Sequence, residues 1–257
     1  MNQTKNGLWN SPLLRSQVTS EDVRPPEMLF GYLIGPFGAL LASGIFTSQL
    51  QNYLTNVLKL DLGFLTTLQL LSTILIVAAN LVVGQLIERT RTLAGKARPW
   101  ILLSALTLSV ASVLMFIVPF ADRTARMVWI AIAYNAYYAV GFPIYNTANS
   151  TLVPVSTRNS KQRSTLASLT NIASLGVMGV GSMIFPTLVS MALKEDQHLW
   201  FVAMLGVAIF TALTILLQFR FTRERVTEES AGAEKAEKSS ASLGEQVKAV
   251  TSEKSRG

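Results

Sequence analysis

Six stretches of the chain are apolar and free of Asp, Glu, Lys and Arg: residues 28–57, 62–87, 99–120, 127–153, 166–193 and 199–219. Each is long enough to cross a bilayer core, which takes about 20 helical residues. Helix is the only regular structure these windows can adopt there, because an open strand would leave backbone N–H and C=O groups unpaired in hydrocarbon. The first two windows are separated by LKLDLG, residues 58–63, which reads as a tight turn. The longer windows can tilt or extend past the lipid. The pattern predicts an all-α membrane protein with six transmembrane helices.

Charge sharpens this picture. Charged residues make up 14% of the chain, against about a quarter in an ordinary soluble domain. All of them fall in tails or connections. The connections after windows two, four and six carry ten positive residues: Arg89, Arg91, Lys96 and Arg98, then Arg158, Lys161 and Arg163, then Arg220, Arg223 and Arg225. The opposite connections carry four: Lys59, Arg123, Arg126 and Lys194. The positive-inside rule then places both termini in the cytoplasm, in a plasma membrane of the bacterial cytoplasmic type. The net charge of +7 arises from these scattered loop residues, so no nucleic-acid partner is expected.

Several chemistries drop out. The chain has no cysteine, which excludes disulfides, thiolate metal sites and palmitoylation. The single histidine, His198, lies in a connection. No acid, cysteine or histidine falls inside a window, so neither an intramembrane enzyme nor a metal or cofactor is expected. The polar segment 1–27 contains Pro25-Pro26 and no cleavable signal pattern, and reads as a cytoplasmic N-terminal segment. Residues 227–257 are charged, aromatic-free and rich in Ser and Ala, so that 220–257 reads as a disordered cytoplasmic tail or linker. Within them, Ser242 followed by Glu245 forms a capping-box pattern, and Leu243, Val247 and Val250 recur at helical spacing, predicting one short amphipathic helix.

The stretch GQLIERTRTLAGKARPW, residues 84–100, carries the most specific motif. Its Gly84, Glu88, Arg89, Gly95, Lys96, Arg98, Pro99 and Trp100 resemble the loop between the second and third helices of major facilitator transporters. The ending GKARPW is similar to the glycoside-pentoside-hexuronide:cation symporter branch, the branch of melibiose permease. YLTNVLKLDLG at 53–63 and NSTLVPVSTRNSKQR at 149–163 are similar to other stretches of that family, and the resemblance covers roughly 28–225. Gly95 suits a tight reversal, Pro99 the first turn of a helix, and Trp100 the membrane interface. The resemblance implies that Glu88, Arg89, Lys96 and Arg98 act in a cytoplasmic gate. A static topological anchor is the competing reading.

The resemblance also implies twelve helices in two halves, with solute near the midplane between them. Windows 28–219 then form one six-helix half, and 220–257 the central loop of a longer carrier. The first and fourth helices of the family face the cavity. On a wheel at about 100° per residue, Tyr134, Asn135, Tyr138, Tyr145, Asn146 and Asn149 fall in one polar wedge of the fourth window, with Pro143 able to disturb the phase. Ser43, Thr47 and Gln51 share a face of the first. Hydroxyls, amides and phenols suit a neutral polar solute, though interhelical hydrogen bonding would use the same residues.

Departures from the family matter as much. Where its cation symporters place membrane carboxylates, the matching positions are Leu40, Ile76, Asn80 and Asn146; a sugar-contacting aromatic falls on Ser150, and an arginine on Asn171. Gly31, Gly35 and Gly38 around Pro36, and Gly176, Gly179 and Gly181, suit close helix packing. The resulting expectation is a half-carrier for a sugar or glycoside with candidate cavity residues Thr47, Asn80, Tyr134, Tyr138, Tyr145, Asn146, Asn149 and Asn171, any sodium or proton coupling depending on a second half. The alternatives are the membrane subunit of an ATP-driven importer and a nontransporting scaffold.

Overall fold

The computed structural model describes residues 16–92 and 94–228, so residues 229–257 of the tail, with the expected amphipathic helix at Ser242, lie outside the described residues. Each apolar window forms a helix: α1 (Pro25–Val57), α2 (Leu62–Arg89), α3 (Arg98–Leu114), α4 (Arg123–Ser156), α5 (Ser160–Leu193) and α6 (Gln197–Arg220). Five are long and apolar enough to cross a membrane, and α3 is a shorter apolar helix of 17 residues, about 25 Å long. The window that begins α3 was expected to run as helix to residue 120. The helix stops at Leu114 instead, where the Trp129 indole N–H donates to the Leu114 and Ile117 carbonyls and satisfies groups that a continuing helix would have paired.

Helix starts follow from local chemistry. Asp61, Asp122 and Asp196 cap α2, α4 and α6 by accepting backbone N–H bonds, and Asn159 caps α5. Three of the five acids between residues 28 and 219 are thus helix caps. Glu195 pairs with Lys59 across 2.9 Å at the exposed turns, and Glu88 is exposed at the end of α2. α1 opens on Pro25 and Pro26, where the missing N–H costs nothing.

The two successive helix triplets, α1–α3 and α4–α6, interleave. α1 packs on α5 and α6, α2 on α4, and α3 on α4 and α6. Exchanging the triplets turns the α1–α5 contact into the α4–α2 contact and α1–α6 into α4–α3, the relation expected of an internal repeat. Close approach sets the α1–α6 contact: a Cβ on Gly35 would lie 2.6 Å from Gln218 Cβ, and one on Gly38 2.4 Å from Thr211 Cα. Pro36 interrupts the ladder here, and the Gly38 N–H donates across to Thr214 Oγ1. In α5, Gly181 packs on Leu41, whereas Gly176 and Gly179 have open space beside them.

An aromatic cluster of Phe46, Tyr53, Phe116, Tyr137 and Trp200 joins α1, α4, α6 and the segment just after α3 at the core. The outer surface is apolar, with Leu70, Ile74, Leu81, Leu175, Met183 and Leu213 among its exposed side chains. That distribution is stable in lipid rather than in water.

Candidate functional site

The basic end of the bundle is built around the α2–α3 turn. Gly95 adopts φ +108, a left-handed geometry that favours glycine. Its N–H donates to Thr92 O, and Thr92 Oγ1 donates to Gly95 O, closing the turn. The turn delivers three backbone N–H groups, of Lys96, Ala97 and Arg98, to the Glu224 carboxylate at 2.8 Å each. Thr227 Oγ1 donates to the same carboxylate. A negative group on the N-terminal N–H groups of α3 is favoured by charge-assisted bonding and by the helix dipole. Glycine is required twice over, because a Cβ at position 95 would meet Glu224 at 2.4 Å.

Arg98 is buried, only 1% exposed. Its guanidinium donates to Ala94 O and Phe219 O and lies 4.5 Å over the Phe219 ring, bracing the start of α3 against the end of α6. Pro99 is buried beside it, and the Trp100 indole donates to Thr90 Oγ1 at 2.8 Å. Glu88 and Arg89 are exposed, Lys96 and Gly84 half-buried. A Cβ on Gly84 would meet nothing, so packing within this structure does not explain that glycine.

Residues 222–225, TRER, extend the assembly to the other side. Arg225 donates to both Glu27 oxygens at 2.7 and 3.0 Å, and to the Ser20, Asp22 and Ser156 carbonyls. Both ends of the pair are buried. Arg223 reaches the Thr19 and Ser20 carbonyls and Glu228, and its hydrogen bond to Glu228 holds the guanidinium above its ordinary range. Ser16 donates to Thr222 O, and the Tyr32 hydroxyl is hydrogen-bonded to Ser156 at the end of α4. Sequence reasoning counted Arg223 and Arg225 as anchoring charges and singled out neither Glu224 nor Glu27. Their signal was the alternation of sign in TRER immediately after the last apolar window.

The candidate cavity residues divide between inside and outside. Tyr145 donates to Gln218 Oε1, and Gln218 donates to Asn149 Oδ1 at 2.6 Å, a buried α4–α6 bridge. Tyr134 is buried with its ring 4.5 Å from that of the half-buried Tyr138. Thr47, Asn80, Asn146 and Asn171 are exposed on α1, α2, α4 and α5. Thr47 and Asn80 each donate to the carbonyl four residues earlier, which leaves their acceptor capacity open. Gln218 was not singled out, because a lone amide near a helix end gives no pattern.

Comparison with known proteins gives one family and several relatives. Residues 31–255 match the family described as MFS/sugar transport protein. The isoprimeverose transporter of Lactiplantibacillus pentosus is 26% identical over 218 residues, 82% of this chain and 44% of the relative. The uncharacterized symporter YjmB of Bacillus subtilis (strain 168) is 25% identical over 81% of the chain and 45% of its own length. The inner membrane symporter YicJ of Escherichia coli (strain K12) is 27% identical over 68% and 38%. The chain spans less than half the length of these relatives.

Proposed function

The chain belongs to the MFS/sugar transport protein family, and on that premise we propose that its six helices form one half of a secondary carrier for a sugar or glycoside. It is an integral membrane protein whose relatives are transporters rather than enzymes. The carrier works by alternating access, with a second six-helix unit supplying the other cavity wall. The supporting observation is the set of neutral hydrogen-bonding groups that includes Thr47, Asn80, Asn146 and Asn171, exposed on spans whose outer surface is mainly apolar. Such groups exchange hydrogen bonds with sugar hydroxyls without carrying charge into the membrane. Tyr145, Asn149 and Gln218 hold the wall from behind.

On this reading both termini are cytoplasmic, and the α2–α3 turn lies on the cytoplasmic side. Glu88, Arg89 and Lys96 meet the other half when that side is shut, while Arg98 and Glu224 fix the turn that presents them. An ATP-driven importer subunit and a scaffold are not favoured, since the relatives are symporters and transporters. Saturable binding of a labelled pentoside or hexoside to the carrier in proteoliposomes, competed by its unlabelled form, tests the proposal. Absence of such binding across a panel of neutral sugars and glycosides would overturn it.

A further inference from the structure

Beside the α2–α3 turn lies a cleft of about 300 Å³ that the transport mechanism does not use, lined by Thr90, Arg91, Thr92, Pro99, Trp100 and Leu103. Its lining has two chemistries. Pro99, the Trp100 ring and Leu103 form an apolar wall, held in place by the indole bond to Thr90. Arg91 is exposed, and the same connection carries the exposed Arg89 and half-exposed Lys96. The one buried acid at the turn, Glu224, is engaged with backbone N–H groups. Glu88 is the one other acid of the connection, so its outward charge is positive.

The apolar wall continues into the hydrocarbon. Leu86, one turn before Thr90 on α2, and Leu106, one turn after Leu103 on α3, are both exposed. A water-soluble anion would leave this wall unused, and a hydrocarbon chain alone would leave Arg91 without a counter-charge. A molecule with a phosphate joined to an acyl chain satisfies both, and a basic pocket between helices at a membrane face is the usual form of such a site.

We propose that this cleft binds an anionic phospholipid, its phosphate against Arg91 and its upper acyl methylenes against Trp100 and Leu103. The proposal rests on the membrane placement of the bundle. The indole fixed by Thr90 sets the depth of the headgroup, and Arg91 selects its charge.

Native mass spectrometry of the purified chain in non-ionic micelles, titrated with phosphatidylglycerol or phosphatidylcholine, tests it. Wild-type protein retains a first phosphatidylglycerol in preference to phosphatidylcholine. Arg91→Gln weakens phosphatidylglycerol retention about fivefold, the worth of one basic side chain at an anionic surface, and leaves phosphatidylcholine unchanged. Lys161→Gln, at an exposed cation in the first turn of α5, leaves both unchanged. Equal losses in the two variants, or no preference in wild type, would overturn the proposal. So would competition by free sn-glycerol 1-phosphate, which would identify a soluble-anion site. Retention of neither phospholipid would overturn the lipid site and leave the membrane placement of the bundle standing.

Discussion

The Glu224 carboxylate and the backbone N–H of Arg98 are joined by a 2.8 Å hydrogen bond between groups 126 residues apart in the chain. The bond makes the segment after α6 the N-terminal cap of α3. Both polar groups are buried, so losing either leaves an unsatisfied partner.

Glu224→Ala therefore lowers stability by about 1.5–3 kcal/mol, the range for hydrogen bonds to a charged group. Gly95→Ala costs about 1–3 kcal/mol through its left-handed backbone, and more through contact with the carboxylate. Because Glu224→Ala removes that contact, the double variant loses less than the sum. Unfolding titrations in mixed micelles measure all three, and strict additivity would contradict the geometry.

Glu27 and Arg225 form a buried pair, and breaking it from one side leaves an uncompensated charge. Glu27→Gln and Arg225→Gln each cost about 3–5 kcal/mol, and the double variant costs less than their sum. Arg225→Gln is the worse of the two, because Arg225 also serves the Ser20, Asp22 and Ser156 carbonyls. The same unfolding titrations give the ranking; a reversed order would count against the assigned partners.

The charge asymmetry makes a topological prediction in a chain with no native cysteine. Single cysteines at Thr124 and Asn159 react with an impermeant maleimide from opposite faces of a sealed membrane, Asn159 from the cytoplasm. Equal labelling of both from outside would refute the proposed orientation.

Asn146 and Asn149 separate the wall from its support. Asn146→Ala weakens solute binding about two- to tenfold, the loss of one hydrogen bond, and leaves pH and sodium dependence unchanged, because no acid lies within the apolar windows. Asn149→Ala instead lowers stability, since it removes an acceptor from the buried Gln218. If Asn146→Ala abolished an ion dependence while ion-free binding persisted, the neutral-half reading would fail.

The windows and turns were legible because hydrophobic length and turn chemistry are local. Gly95 and Pro99 announce the turn, whereas the capping roles of Asp61, Asp122 and Asp196 came from the structure. The phase of α4 was not legible. A π-helical segment, Ala136–Gly141, precedes Pro143, and one extra residue in a turn rotates all that follows by roughly 100°. A wheel drawn across it cannot carry the face of Tyr134 and Tyr138 over to Tyr145 and Asn146. Glu224 and Glu27 were hidden for a different reason: their partners are long-range backbone groups and a distant arginine, and neither leaves a periodic trace. At the end of α3, Pro119 has no N–H to offer the Met115 carbonyl, while Trp129, which donates to the Leu114 and Ile117 carbonyls, comes from the next helix.

Three consecutive residues after α6 face different neighbours: Arg223 the N-terminal segment, Glu224 the α2–α3 turn, and Arg225 the starts and ends of α1 and α4. Mechanically the segment is a yoke. A pull on the chain beyond Glu228 is divided among several helices instead of tugging on α6 alone, so the bundle responds as a rigid block. One residue inserted between Glu224 and Arg225 would uncouple the two arms without altering any helix.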